Sequence, residues 1–423
     1  MNKVCREFSQ TSNVSIMFFV YFFFAGYGRR AGAEPSAAAA AASHLYDASF
    51  GFNATHAGWE PNASFWQSAL AIEALLEVID SGATTALEDQ INATLVDAMR
   101  VRTSAQVLGE ISTAYDDLLW WCGTFLSLAE HSDTAASSAL WLHRARDVFD
   151  YVFLHAWDNK QCGGGLFWSA ARAYKNSIVN TLALDAAVRL SAAVAGDSGS
   201  VYATQAELIF AWLVHSQLIN ASTFEVYDGL NMSTCSPPPP HQRAQWSYNA
   251  GVAIEALVGY GTDFNDAAAM SLALGIANAS IYTFTVVDDN TIRLIVELNG
   301  VHDRDQQVFK GIYARSLARL AVRVRGGSDR SLRKFADQIE ILLTSSAELV
   351  FTERGRNGLY QSDWRAAPFS TKAVNFCGSS PGIDDAQFRF PPVHQLAWRS
   401  CVGPTPQMEA VMLFNAASEV LTG

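Results

Sequence analysis

The feature that most constrains the fold of this chain is a sixfold alternation between two kinds of helical segment. From about Ser36 onward, apolar residues recur at spacings of three and four, which is the period of an α-helix. Six segments open with polar or aromatic residues and are then apolar almost all round, whereas the segments between them are amphipathic. A helix that is apolar all round is buried, and an amphipathic helix covers it. The six apolar segments start near Ser64, Tyr115, Tyr174, Trp246, Gln306 and Gln407.

This alternation predicts an all-α fold, an (α/α)6 barrel of six inner and six outer helices. The length of 423 residues allows two or three domains, but one large helical ring is equally compatible with it. We expect residues 34–423 to form a single catalytic domain of this kind. Because the inner helices of such a ring run in the same direction, their polar N-terminal ends should meet on one face and form a cleft.

Two regions of the sequence interrupt the helical pattern. Residues 223–243 contain the run Pro237–Pro240 and are expected to be a loop. Residues 355–404 are rich in Gly, Pro, Ser and Trp, and a loop of that length usually serves as a lid or a binding wall. Residues 285–300 alternate well enough to predict a short β-hairpin.

The N-terminus predicts export. Residues 1–33 resemble a signal peptide, because Lys3 and Arg6 precede an apolar run from Val14 to Ala25 and a small-residue cleavage site follows. An uncleaved anchor is the alternative, although the run is shorter than the ~20 residues that span a bilayer. We expect a secreted protein, extracellular or in a cell wall, with no stable membrane insertion after cleavage. Outside the signal segment, six N-x-S/T sequons agree with export, at Asn53, Asn62, Asn92, Asn220, Asn231 and Asn278.

The cysteines are expected to be staples or packing residues rather than metal ligands. An oxidising compartment permits disulfides, and both Cys377 with Cys401 and Cys162 with Cys235 are plausible pairs. Cys122 follows two tryptophans on a helix and is expected to be a buried free thiol. Since the sequence contains neither CxxC nor HExxH, we expect no metal and no cofactor.

The charge of the chain restricts its partners. The formal net charge is −12, and no dense block of Lys and Arg occurs. This argues against a nucleic-acid partner and for an uncharged or cationic substrate. We also expect a monomer.

The sharpest chemical feature is the carboxylate pair Asp116 and Asp117, followed at once by Trp120 and Trp121. Aspartate is common at helix starts, so a capping role is the alternative. Here the pair lies where an otherwise uncharged inner helix begins, and two unpaired carboxylates would be costly there without a function. Two like charges side by side also raise one pKa, which provides a proton donor beside an ionised group. Glycoside hydrolysis needs such a pair, and adjacent residues suit retention of configuration better than inversion.

Several further motifs occur in an order that resembles glycoside hydrolase family 76, which contains endo-α-1,6-mannanases and a fungal cell-wall branch. The resemblance covers roughly residues 60–420. Its motifs are YDDLLWW at Tyr115, CGGGLFW at Cys162, YKNS at Tyr174 with Asn180, YDG at Tyr227, WSYNAG at Trp246 and FKG at Phe309.

The resemblance implies an (α/α)6 fold and retention, with Asp116 as the nucleophile and Asp117 as the general acid/base. It implies an α-1,6-linked mannan or mannosylated glycan as substrate. The residues that would line the sugar subsites are Trp66, Tyr115, Trp120, Trp121, Trp168, Tyr174, Lys175, Asn176, Asn180, Asp228, Tyr248, Asn249 and Lys310. Cys122 and the proline-rich insertion after Cys235 depart from the family pattern.

Two other functions remain open at this point. The first is a cell-wall transglycosidase that acts on GPI-anchor mannan, because a sugar hydroxyl can intercept the same covalent intermediate. The second is a carbohydrate-binding protein without catalysis, against which the intact aspartate pair counts.

Overall fold

The computed structural model describes thirteen helices, labelled α1 to α13 in chain order. The residues it describes are 34–46, 52–54, 58–59, 65–81, 87–110, 114–194, 196–287, 293–298, 305–352, 359–360, 364 and 404–422. The helices are α1 (Glu34–His44), α2 (Phe65–Asp80), α3 (Glu88–Val101), α4 (Ser104–Glu110), α5 (Tyr115–Glu130), α6 (Ala135–Ala156), α7 (Ser177–Ala193), α8 (Asp197–His215), α9 (Ser247–Asp263), α10 (Ala267–Thr283), α11 (Phe309–Arg325), α12 (Arg330–Thr352) and α13 (Pro404–Thr422).

Six of these helices form a closed inner ring. Helix α2 packs against α5, α5 against α7, α7 against α9, α9 against α11 and α11 against α13. Helix α13 then packs against α2 and closes the ring. These are the six segments that the sequence marks as apolar all round, and the fold is the predicted (α/α)6 barrel.

The other helices lie outside the ring, one beside each inner helix. Helix α6 packs on α5, α8 on α7, α10 on α9 and α12 on α11, and α1 packs on α13. Each outer helix follows or precedes an inner one in the chain, so inner and outer helices run in opposite directions. The C-terminal ends of the outer helices therefore lie on the same face as the N-terminal ends of the inner ones.

The sixth outer position is occupied by two helices, which is why thirteen are found where twelve are predicted. Helix α3 packs on α2, and α4 packs on α5 and α6. The break falls at Arg102, whose backbone leaves the helical region with ψ 82°. Its guanidinium is buried over the rings of Phe65 and Trp121, 5.2 and 4.9 Å from their centroids. These cation–π contacts hold the chain at the break.

The strands are few and short. Strand β1 (Phe52–Asn53) pairs with β2 (Gly58–Trp59), and β3 (Thr285–Val287) pairs antiparallel with β4 (Arg293–Ile295). The second pair is the hairpin expected within residues 285–300. Residues 223–243 form turns and a short 3-10 helix (Pro240–Gln242), in agreement with the expected loop.

Ion pairs link the middle and C-terminal turns of the inner helices. Arg315 on α11 pairs with Glu73 on α2, and Arg319 on α11 pairs with Glu77 on α2 and Glu255 on α9. Arg189 on α7 is 3.0 Å from Glu130 on α5. We refer to these seven residues as the basal network.

The disulfide joins Cys162 to Cys235, one of the two pairs considered, and Cys122 is a buried free thiol. Within the described residues, no helix is long and apolar enough to cross a membrane. Several predictions concern residues outside the described ones: the signal segment 1–33, Asn62, Cys377 and Cys401, and nearly all of the loop 355–404.

Candidate active site

The aspartate pair lies in the first turn of α5, on the face where the inner helices begin. The residue that caps this helix is Ala114, whose side chain has no capping hydrogen bond. Asp116 and Asp117 follow inside the helix, so neither acts as its N-cap. The backbone before them is fixed instead by a bridge from Ala114 to Ser169 and by a bond from Tyr115 N–H to the Trp168 carbonyl, 2.8 Å.

Asp116 has an unusual electrostatic environment. Burial raises the pKa of its carboxyl from 3.8 to about 7, against hydrogen bonds from the Trp168 side chain and from the backbone, and Asp305 raises it further. Its Oδ1 is buried and, among the described residues, has no hydrogen-bond partner. A carboxyl in this state can hold a proton near neutral pH and can interact with a ligand atom that enters the cleft.

Trp168 lies beside Asp116 at the side of the cleft, and its side chain is 38% exposed. Its position depends on Lys175, which is fully buried and whose ammonium fastens the preceding loop. Lys175 Nζ donates to the carbonyls of Gln161 and Gly164, both at 2.6 Å, and to Asp158 Oδ2 at 3.2 Å. Lys175 was predicted to contact sugar, but these contacts make it the residue that holds the loop carrying Trp168.

The glycines of this loop have a packing reason. Gly165 has φ +90°, and a Cβ there would lie 2.4 Å from the Trp212 ring. Only a residue without a side chain allows that approach and that backbone conformation. The positive φ angles of all three glycines and the close approach of Trp212 to Gly164 and Gly165 therefore explain this motif by backbone conformation and packing.

Asn176 and Asn180 also act on the backbone. Asn176 is the N-cap of α7 and accepts from Val179 N–H at 3.4 Å. Asn180 binds Leu166 on both sides, accepting from its N–H at 2.8 Å and donating to its carbonyl at 3.1 Å. Both side chains are buried, so they position the loop and the helix start.

A second carboxylate lies at the starts of α7 and α9. Tyr174 donates to Asp228 Oδ2 at 2.7 Å, and Asn249 donates to Asp228 Oδ1 at 3.1 Å. Burial raises the pKa of Asp228. Gly229 is required here, because a Cβ would lie 2.2 Å from the Tyr174 hydroxyl.

Tyr248 connects the two carboxylates. Its ring stacks on Phe309 with centroids 3.8 Å apart. Burial raises the pKa of Tyr248 well above 10, and Asp228, Asp116 and Asp305 raise it further. Four predicted residues (Asp116, Tyr174, Asp228 and Tyr248) therefore share one charged neighbourhood.

Asp305 is a site residue that the sequence analysis missed. It accepts hydrogen bonds from the Trp66 indole at 3.2 Å and from Gln67 at 3.4 Å. Trp66 in turn stacks on Trp120 with centroids 5.6 Å apart. The signal that could have found Asp305 is its place directly before the inner segment that starts at Gln306, close to the N-terminal end of an inner helix.

Two predicted sugar contacts lie away from the cleft surface. Trp121 is fully buried, and its indole donates to the Phe65 carbonyl at 3.0 Å, so it belongs to the core. Lys310 is buried against Glu409, 2.9 Å from Oε2. Its Nζ also lies 4.8 Å from the centroid of the Trp364 ring. A buried lysine needs a charged partner, and Glu409 is that partner. The sequence analysis did not identify Glu409 because it lies about a hundred residues from Lys310 in the chain.

The fold agrees with the comparisons with known proteins. Residues 32–375 match the family model described as glycosyl hydrolase family 76. No curated protein matches the chain by sequence.

Solved structures resemble the whole ring. A protein from Listeria innocua is 16% identical, covering 92% of this chain and 97% of its own, with a TM-score of 0.67. An inactive variant of an α-1,6-mannanase from Salegentibacter sp., bound to α-1,6-mannotriose, is 14% identical with coverages of 92% and 99% and a TM-score of 0.67. Two consecutive aspartates are replaced in that variant. Dfg5 from Chaetomium thermophilum, in complex with glucosamine, is 20% identical with coverages of 85% and 80% and a TM-score of 0.55.

Proposed function

Because the chain belongs to glycosyl hydrolase family 76, we propose that it is a secreted retaining glycosidase that hydrolyses α-1,6-mannosidic linkages. The observation that carries the proposal is the pair Asp116 and Asp117 in the first turn of α5, on the face where the inner helices begin. The α-1,6-mannanase from Salegentibacter supports it, since its inactive variant lacks two consecutive aspartates.

Each residue of the pair receives a role in a double displacement. Asp116, ionised, attacks the anomeric carbon and forms a glycosyl-enzyme while Asp117 protonates the departing oxygen. Asp117 then takes a proton from water, whose oxygen attacks the same carbon and releases Asp116. Tyr248, which feels the charges of Asp116 and Asp228, lies beside the developing positive charge of the sugar ring.

The raised pKa of Asp116 gives these roles a specific test. A nucleophile must be ionised, so burial keeps part of the free enzyme inactive below pH ~7. Azide rescue identifies the nucleophile: an Asp116→Ala enzyme should form the inverted glycosyl azide, and Asp117→Ala the retained one. If Asp116→Ala instead gave the retained azide and Asp117→Ala the inverted one, Asp117 would be the nucleophile and Asp116 the acid/base.

The activity itself is tested by the release of reducing ends from linear α-1,6-mannan. Wild type should release them, and Asp116→Asn and Asp117→Asn should each lose about 10³-fold or more in kcat. Circular dichroism of both variants provides the control for folding. If the wild type releases none from any mannan, the hydrolase proposal fails.

Transglycosylation is the second candidate, supported by the resemblance to the cell-wall branch of the family. A sugar hydroxyl would replace water in the second step, so the same residues serve both reactions. Incubation with mannan and a labelled acceptor distinguishes them, because transfer places the label in longer chains. A non-catalytic binding protein would bind mannan and release nothing.

Secretion is part of the proposal and rests on residues 1–33, the sequons and the disulfide between Cys162 and Cys235. The sequon residues Asn92, Asn231 and Asn278 are exposed and can accept glycans. Expression of the full chain in a eukaryotic host should yield protein in the medium that begins near residue 34. Endoglycosidase treatment should lower its apparent mass.

A further inference from the structure

Three exposed side chains lie on the cleft face but outside the ring of inner helices. Tyr151 and His155 belong to the last turns of the outer helix α6, and Arg172 belongs to the turn after Trp168. The C-terminal end of an outer helix lies on the same face as Asp116, because inner and outer helices run in opposite directions. We refer to Tyr151, His155 and Arg172 as the outer shelf.

The outer shelf is held together by specific contacts. The rings of Tyr151 and His155 are in contact, with centroids 4.4 Å apart and their planes tilted by 48°. Arg172 donates to the His155 carbonyl at 2.6 Å, and its guanidinium lies 4.5 Å from the centroid of Phe167. An arginine fixed in this way presents its remaining N–H groups in a defined direction.

The backbone of Arg172 carries strain. Its φ is +52°, in the left-handed region that favours glycine, and its N–H bonds to the Ser169 carbonyl at 3.0 Å. Non-glycine residues in this region are uncommon and tend to occur at functional sites. The turn aims the exposed side chain toward the C-terminal end of α6, where it bonds to the His155 carbonyl.

The outer shelf is continuous with the active site. Trp168, which hydrogen-bonds to Asp116, is four residues before Arg172 and is exposed. Tyr115, beside Asp116, is close enough to Tyr151 and Arg172 for both to affect its pKa. Trp168 and Tyr151 are therefore two exposed aromatic side chains on the face that carries Asp116, and the buried Tyr115 is electrostatically coupled to the outer shelf.

Tyr151 is 38% exposed, as is Trp168. Aromatic faces and a fixed guanidinium are the groups that bind the apolar faces and the hydroxyls of sugar rings. We propose that the outer shelf binds the part of the mannan chain that extends beyond the sugars at Asp116 and Asp117. This inference rests on the proposed function and adds to it a preference for polymer over short oligosaccharide.

The test compares linear α-1,6-mannan with α-1,6-mannotriose as substrates for the full enzyme. In Tyr151→Ala, the ratio of kcat/KM for polymer to kcat/KM for trisaccharide should fall about 5- to 10-fold, the value of one good ring contact. Arg172→Ala should act in the same direction.

The matched control is Tyr282→Ala. Tyr282 is 71% exposed near the C-terminal end of α10, another outer helix, and so lies on the same face in a different sector of the ring. Its loss should leave the ratio at the wild-type value. Affinity electrophoresis in mannan gels, with Asp117→Asn as the inactive background, measures the same difference as binding.

The outcomes separate the two proposals. If wild type cleaves mannan but Tyr151→Ala keeps the wild-type ratio and the wild-type retardation in mannan gels, the outer shelf proposal is wrong and the proposed function stands. If wild type neither cleaves nor binds mannan, both proposals fail. A ratio that falls equally in Tyr282→Ala would also overturn the shelf.

Discussion

At the scale of single residues, the charge around Asp116 decides what pH the enzyme needs. Burial contributes most to its raised pKa, and Asp305, held by Trp66 and Gln67, contributes from the start of α11. The sequence identified the pair but could not reveal this neighbour, because residues 116 and 305 meet only when the ring closes.

The first prediction concerns the pH profile. With Asp116 as nucleophile, kcat/KM should rise with pH and level off above about 7, the raised pKa of this group. Asp305→Asn removes a negative charge, so this limb should move down by about half a pH unit. The measurement is kcat/KM on mannan from pH 4 to 9. A limb that stays in place in Asp305→Asn would show that Asp305 does not act on Asp116.

The second prediction concerns stability. The folded-state pKa of Asp116 lies above the unfolded value of 3.8, so the folded state binds the proton more tightly. Its ionisation therefore destabilises the fold as pH rises from about 4 to 7, and the loss is complete above 7. Asp116→Asn should raise the free energy of unfolding at pH 8 by about 4 kcal/mol, because each pKa unit corresponds to about 1.4 kcal/mol, and by less than about 1 kcal/mol at pH 4. Urea unfolding at both values measures this.

The control for the stability prediction is Asp133→Asn, which changes an exposed aspartate in the turn after α5. It should have the same small effect at pH 4 and pH 8. If both variants were stabilised equally at pH 8, the cause would be the change in net charge and not the burial of Asp116.

At the scale of elements, the loop between α6 and α7 is the part that the sequence described least well. Lys175, Asn176 and Asn180 stand at the start of an inner helix, and that position suggested sugar contact. In the structure, Lys175 and Asn180 bond to the backbone of this loop, and Asn176 caps the start of α7. The sequence pattern shows that these polar residues lie at the start of a helix. It does not show where each side chain points, because that depends on loops, which have no periodic pattern.

The third prediction follows from that loop. Lys175→Met removes the donor to the Gln161 and Gly164 carbonyls and leaves Asp158 without its buried cation. The free energy of unfolding should fall by about 3 kcal/mol. Because the loop carries Trp168, activity on mannan should fall as well.

Lys160→Met is the matched control, since Lys160 is exposed in the same loop. Differential scanning calorimetry and mannan hydrolysis of both variants provide the comparison. An unchanged melting temperature in Lys175→Met would contradict the structural role of this lysine.

Element boundaries were predicted better than element number. The six apolar segments correspond to the six inner helices, and the hairpin of β3 and β4 lies within its predicted span. The division of the outer helix at Arg102 was missed, because cation–π contacts with Phe65 and Trp121 decide it. Those partners lie on α2 and α5, far from any local signal in the sequence.

At the scale of the whole molecule, the basal network connects inner helices that are not neighbours in sequence. Arg315 and Glu73 join α11 to α2 across the barrel, and both are buried. Removing one partner of a buried ion pair lowers the free energy of unfolding strongly, because the other charge stays buried without compensation. Replacing both partners together costs much less.

The fourth prediction tests that property. Arg315→Met should lower the free energy of unfolding by about 3–5 kcal/mol, because Glu73 keeps a buried charge. The double variant Arg315→Met/Glu73→Gln should recover at least half of that loss. A double-mutant cycle by urea unfolding gives the coupling. Additive losses would mean that the two residues act independently.

The closure of the ring by α13 has a consequence for biosynthesis. Helix α13 is the last inner helix to leave the ribosome, yet α1, the first described helix, packs on it. Until α13 emerges, the apolar flanks of α2 and α11 have no neighbour on one side, and α1 has no surface to cover. The nascent chain therefore exposes apolar, aggregation-prone surface for most of its synthesis. The yield of folded protein in cells should depend on chaperones that cover this surface until the ring closes.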